Sequence, residues 1–146
     1  MSGAAYVPVQ IELGPLPEYD DEQKEYDLTG TGVPTEAKEI LVYTFVTAKS
    51  VRGEFHRGYY EISTTDGDNK YEQYMNVATG DGITVLNSAN LWLPMGADGK
   101  VTAKLTCAEC GEEGHRSIKG ATPVSGGWSG VFIIGYREAM PKKEQL

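Results

Sequence analysis

The chain has 146 residues, a formal charge of −8 and a sequence pI near 4.7. Such an acidic surface repels phosphate backbones and anionic headgroups, which are held through clustered Lys and Arg, so nucleic acid and membrane surfaces are excluded as expected partners. Hydrophobic residues make up 40%, and nine tyrosines, three phenylalanines and two tryptophans supply more ring area than a disordered chain carries, so one folded domain over 1–146 is expected.

No apolar run approaches the roughly 18–20 residues of a membrane span. The opening Met1-Ser2-Gly3-Ala4-Ala5-Tyr6-Val7-Pro8 lacks the basic and apolar regions of a signal peptide, which reads as a cytosolic chain or one trimmed for expression. The two cysteines, Cys107 and Cys110, provide no framework of bridges, so packing must supply the stability.

In chain order, Tyr6 to Leu13 reads as a first strand. The segment 14–27 is Pro-rich and acidic, with Glu18, Asp20, Asp21, Glu22, Glu25 and Asp27 against Lys24, and self-repulsion predicts a solvated loop or arm. Ile40 to Val46 is apolar at both parities and rich in β-branched and aromatic residues, which predicts a central strand covered on both faces. Glu54 to Ile62 and Tyr71 to Val77 flank the turn signal Thr64 to Asn69 and predict a hairpin. Ile83 to Leu86, the turn-like Asn87-Ser88-Ala89-Asn90 and the apolar Leu91 to Met95 follow, and Pro94 predicts a strand that ends there or lies at an edge. Val101, Ala103, Leu105 and Cys107 alternate with Thr102, Lys104 and Thr106, which predicts a strand with one wet face. Val131 to Tyr136 reads as a second buried strand, and 141–146 as a short charged tail.

About eight short strands punctuated by Gly, Asp and Asn, with no sustained helical period, predict an all-β fold: an antiparallel β-sandwich of the jelly-roll type.

Few motifs suggest chemistry. Cys107-Ala-Glu-Cys110-Gly-Glu-Glu-Gly-His115 matches the first three ligands of a zinc knuckle, but the fourth falls on Gly120. Because Cys107 also completes the inward face of its strand, buried thiols or a local disulfide stand beside the zinc reading. Asp66-Gly67-Asp68-Asn69 opens like a calcium loop yet lacks the closing Glu, so a hairpin turn is the simpler reading. The histidines, His56 and His115, sit in no nucleophilic or metal-hydrolase pattern. A non-catalytic protein without a resident cofactor is expected, with zinc or calcium as the alternatives. Tyr59, Tyr60, Tyr71 and Tyr74 flank one hairpin, and Trp92 and Trp128 lie near turns. Core or subunit-interface packing accounts for most of these rings, and an exposed one would offer a stacking platform for a sugar or a partner chain.

Tyr26-Asp27-Leu28-Thr29, the run Val33 to Tyr43, and Ser88-Ala89-Asn90-Leu91-Trp92-Leu93-Pro94-Met95 together resemble a domain of marine-invertebrate (cnidarian-type) proteins that often follows collagen-like repeats. That domain is similar in placement to the trimeric jelly-roll heads of complement-type and tumour-necrosis-factor-like proteins. The resemblance covers roughly Tyr26 to Leu105 and carries no catalytic residues across. It implies an extracellular binding or assembly module, a trimer among the forms it allows, although this chain has no collagen repeats.

The function expected from these readings is a homo-oligomeric module that recognises glycan or protein through loops at one end of the sandwich. The candidate contacts are Asp66, Asp68, Asn69, Asp81, Asn87, Asn90 and Trp128, chosen as polar or aromatic and turn-borne. The alternatives are a structural protein of a capsid, filament or matrix, and a zinc-stabilised module or zinc-dependent hydrolase using Cys107, Cys110 and His115.

Overall fold

A computed structural model of the chain describes residues 6–49, 55–80, 82–110 and 129–138. Among these residues are eight strands: β1 (Tyr6–Gly14), β2 (Gln23–Asp27), β3 (Glu39–Lys49), β4 (Phe55–Asp66), β5 (Asn69–Gly80), β6 (Thr84–Pro94), β7 (Lys100–Cys110) and β8 (Ser129–Arg137). They form two four-stranded antiparallel sheets, ordered β1-β8-β3-β6 and β2-β7-β4-β5. First pairs with last, second with seventh, third with sixth and fourth with fifth, while β3–β8 and β4–β7 pairing completes each sheet. This is the connectivity of a jelly roll, so the expected fold class is the observed one.

The core follows from the alternation of side chains along each strand. Ile40, Val42, Val46 and Ala48 of β3 face inward, as do Tyr60 and Ile62 of β4, and Val101, Ala103 and Leu105 of β7, each with no exposed surface. Thr44 is the polar member of the inward row on β3, and its hydroxyl donates to the Gly130 carbonyl at 3.1 Å. Among the described residues no buried side-chain nitrogen or oxygen lacks a hydrogen-bond partner, as a low-dielectric interior requires.

Sequence and structure part company at the acidic segment 14–27, which is no free arm. Its last part is β2, paired with β7 from Gln23↔Lys104 to Asp27↔Lys100. The part before it is docked by Leu16, which is fully buried. Two tyrosines reach it from inside the sandwich: the Tyr60 hydroxyl donates to Pro17 O at 2.9 Å and the Tyr26 hydroxyl to Pro15 O at 2.5 Å. Glu22 Oε1 accepts from the backbone N–H of Glu18 and Tyr19, and Asp20 Oδ1 accepts from that of Cys107. A backbone carbonyl outside any ladder needs a donor, and a buried phenol needs an acceptor, so each satisfies the other.

The hairpin tip behaves as its composition demands. Asp66 and Asn69 are ladder partners around Gly67-Asp68, and Gly67 takes the positive φ of 64° that a two-residue turn with glycine first requires. Further along, Asn87 to Asn90 is not a turn, because β6 runs through it without a break to Pro94. Pro94 ends an edge strand, as expected of a residue that cannot donate to a ladder.

The buried tyrosines generate two predictions. Tyr60→Phe orphans Pro17 O and should cost about 1 kcal/mol in chemical denaturation, whereas Leu16→Ala should cost ~2–5 kcal/mol. Burial, and secondarily the carboxylates of Glu18 and Glu22, push the Tyr60 phenol above its ordinary 10.0. Because the folded value lies above the unfolded one, the stability tied to the neutral phenol is intact below pH 10.0 and is lost as pH rises beyond it. The unfolding free energy should therefore fall above that pH, by up to about 1.4 kcal/mol per pH unit from this group, and Tyr60→Phe should flatten the fall. Equal slopes for both proteins would show that Tyr60 ionises alike in the folded and unfolded states.

Candidate functional site

A two-layer sandwich covers one side of each sheet, and the two sides left uncovered among the described residues differ in chemistry. The outer side of β2-β7-β4-β5 is charged: Lys100 pairs with Glu25 at 3.4 Å, Lys104 approaches Asp21 at 4.0 Å, and Lys70 sits 2.5 Å from Glu61. The outer side of β1-β8-β3-β6 is aromatic and aliphatic. Leu41, Tyr43 and Phe45 of β3 and Phe132 of β8 point outward and are half-buried, and Leu86 of β6 is 64% exposed.

This changes the reading of β3 and β8 as strands covered on both faces. Their inward rows are buried, but among the described residues no second layer lies over their outward rows. Apolar side chains at both parities thus mark a sheet with one hydrophobic face covered and the other open among the described residues.

The register places Tyr43 beside Phe132 on one side and Asn90 on the other, and Phe45 between Gly130 and Ser88. The Tyr43, Phe45 and Phe132 rings form a triangle with centroids 5.9 to 6.2 Å apart. Gly130 makes the close approach possible, since a Cβ there would lie 2.8 Å from Phe45 Cε2 and 2.9 Å from Phe132 Cε1. Gly135 serves Tyr6 in the same way, with the ring lying where a Cβ would stand. Glycine in a strand normally weakens it, and an aromatic ring laid over the bare backbone restores the lost contact.

Charge on this face is confined to its margin among the described side chains. Glu39 accepts from Arg137 Nη1 at 2.7 Å, and the Arg137 guanidinium lies 4.1 Å above the Trp92 ring. Trp92 in turn meets Tyr6 edge to face at 6.0 Å. Glu12 stands on the outer edge strand, opposite Phe132.

The residues chosen from turn chemistry are not brought together. Asp66, Asp68 and Asn69 share the β4–β5 tip and are exposed. That tip lies at the end of the sandwich where β6 stops, as the Thr64 hydroxyl bonded to Pro94 O at 2.8 Å shows. Asn87 and Asn90 belong to the body of β6, on opposite sides of it. Asn90 faces outward opposite Tyr43, whereas Asn87 turns inward and its amide Nδ2 donates to the Asn76 carbonyl on β5. Asp81, Trp128 and His115 lie outside the described residues, as does the side chain of Cys110. Cys107 is buried and disulfide-bonded, and a sulfur in that state has no thiolate to offer a metal. Among the described residues no three His, Cys, Asp or Glu side chains are grouped to hold a metal ion.

Choosing residues from turns passed over Leu41, Tyr43, Phe45 and Phe132. Their signal in the sequence is apolar residues at both parities of two strands, a pattern shared by doubly covered strands and by strands with one open face. Comparison with known proteins finds no family model that matches the chain and no curated protein similar enough to stand as a relative.

Proposed function

We propose that the chain is a non-catalytic assembly and recognition module that associates with copies of itself through the outer face of β1-β8-β3-β6. The observation that carries this reading is the pairing of an aromatic, charge-depleted sheet face with a charged one on the opposite side. Interface centres are rich in Tyr, Trp and Phe and poor in Lys, Glu and Asp, while large apolar patches are rarely left open on a monomer.

A second copy suits this face for an electrostatic reason. The chain carries −8, so two copies repel wherever their acidic surfaces meet, and the repulsion is least across a surface whose charges sit at the rim with Glu39 neutralised by Arg137. The resemblance to heads that follow collagen-like repeats implies a trimer and an extracellular setting as parts of the same proposal. Recognition of glycan or protein belongs to surfaces that such an assembly leaves free.

The structural-protein reading calls for sheets joined edge to edge, which open ladders favour. Two features here blunt that route: edge strand β5 carries Lys70 and Glu72, and the inward Asn87 of edge strand β6 occupies a backbone carbonyl of β5.

Light scattering on the eluting protein should give a whole-number multiple, two or more, of 15.9 kDa. Phe45→Glu, which buries an unpaired carboxylate in the centre of the contact, should return the mass to that of one chain. Leu86→Glu, at an exposed position on an edge strand, should weaken association without disturbing the core. Both variants should keep the strand-rich circular dichroism of the parent. A parent that stays monomeric at high concentration would sink the proposal.

A further inference from the structure

We infer that the outer face of the β4–β5 hairpin, on the sheet opposite the assembly face, is a binding site for a neutral, pyranose-containing glycan. This deepens the recognition half of the proposed function and is independent of its assembly half.

Tyr59 and Tyr74 are out of place on a charged face. They are 36% and 50% exposed, and their rings meet edge to face with centroids 5.6 Å apart. Beside them lies a depression of about 420 Å³ lined by Arg57, Gly58, Tyr59, Asn76, Val77 and Ala78, within the ~300–1,000 Å³ usual for small-molecule sites. An exposed tyrosine ordinarily costs rotamer freedom when it binds. Tyr74 has already lost that freedom, because its hydroxyl donates to Glu72 Oε1 at 2.6 Å and Glu72 is held by Lys70, which also pairs with Glu61. The same bond pushes the Tyr74 phenol up to about 12. A ring fixed before the ligand arrives is a better platform than a mobile one.

The chemistry around the rings selects the ligand. An anionic sugar or phosphate meets Glu61 and Glu72, whose cation Lys70 already serves both. A wholly apolar ligand suits the tyrosine rings and Ala78 but not the polar Asn76 side chain set among them. A pyranose fits both demands. Its C–H face stacks on a tyrosine ring, and its hydroxyls reach the Asn76 amide and the Arg57 guanidinium at the margin. The carbonyl of Asn76 is bonded to Asn87, which ties this wall of the depression to β6 and limits its movement.

Calorimetric titration of the full chain with a panel of neutral oligosaccharides (gluco-, manno-, galacto- and xylo-oligomers) and heparin oligosaccharides tests the inference. At least one neutral oligomer should bind and heparin should not. Tyr59→Ala and Tyr74→Ala should each weaken the neutral ligand about tenfold or more, the scale of one lost ring contact. Tyr74→Phe, which keeps the ring and frees it from Glu72, should weaken it less. Phe45→Glu, on the far sheet, should change the assembly mass and leave the per-chain affinity unaltered, so failure of the sugar site and failure of the assembly face give different results. A panel with no neutral binder, binding indifferent to both alanine variants, or a preference for heparin would each overturn the inference.

Discussion

Extended backbone sends successive side chains to opposite sides, and two sheets laid face to face can hide only the inner side of each. Every part of this molecule answers to that limit. Where the chain alternates cleanly, as in β7 with Val101, Ala103 and Leu105 buried and Thr102, Lys104 and Thr106 outward, the limit costs nothing. Where it does not alternate, as in β3 and β8, apolar surface is left over among the described residues. The leftover surface is contiguous because the two strands are neighbours, and the open face is a consequence of strand order as much as of composition.

The jelly-roll connectivity raises a second problem, since its early strands must cross from one sheet to the other. The crossing from β1 to β2 carries acidic residues and prolines, a composition that alone favours solvent. Tyr60 and Tyr26 resolve the conflict by supplying buried donors to Pro17 O and Pro15 O, and Leu16 supplies the apolar anchor. Acidic groups in the same segment serve as local acceptors, with Glu22 closing the turn at Glu18 and Tyr19 and Asp20 meeting the backbone of β7. A charge run in sequence thus became an ordered crossing because its charges had backbone N–H groups within reach.

The two outer faces give the molecule a division of labour under the proposed function. One face is apolar, glycine-backed and neutral at its centre, suited to a copy of itself. The other carries paired charges and exposes two tyrosine rings, one of them held by Glu72, beside a depression. Between them, Asn87 joins β6 to the open edge of β5, a polar closure on the flank where the two sheets would otherwise expose their ladders.

Fold class was legible in the residues because period-two alternation, turn glycines such as Gly67 and the stop at Pro94 act over a few residues. Strand order, the docking of 14–22 and the continuity of β6 through Asn87 and Asn90 were not, since each depends on partners far along the chain. Asparagine favours turns locally, yet in β6 it is held extended by pairing with β3 on one side and by the Asn76 carbonyl across the flank. The tyrosines show the same division: alternation puts Tyr60 on the side of Ile62 and Tyr59 on the side of Arg57 and Glu61, but that the Tyr60 hydroxyl would meet Pro17 depended on a segment 43 residues away. Sequence alone determined that apolar side chains would line both sides of β3 and β8. Only the tertiary structure decided which side found a covering layer, because burial belongs to pairs of surfaces and a strand carries just one of them.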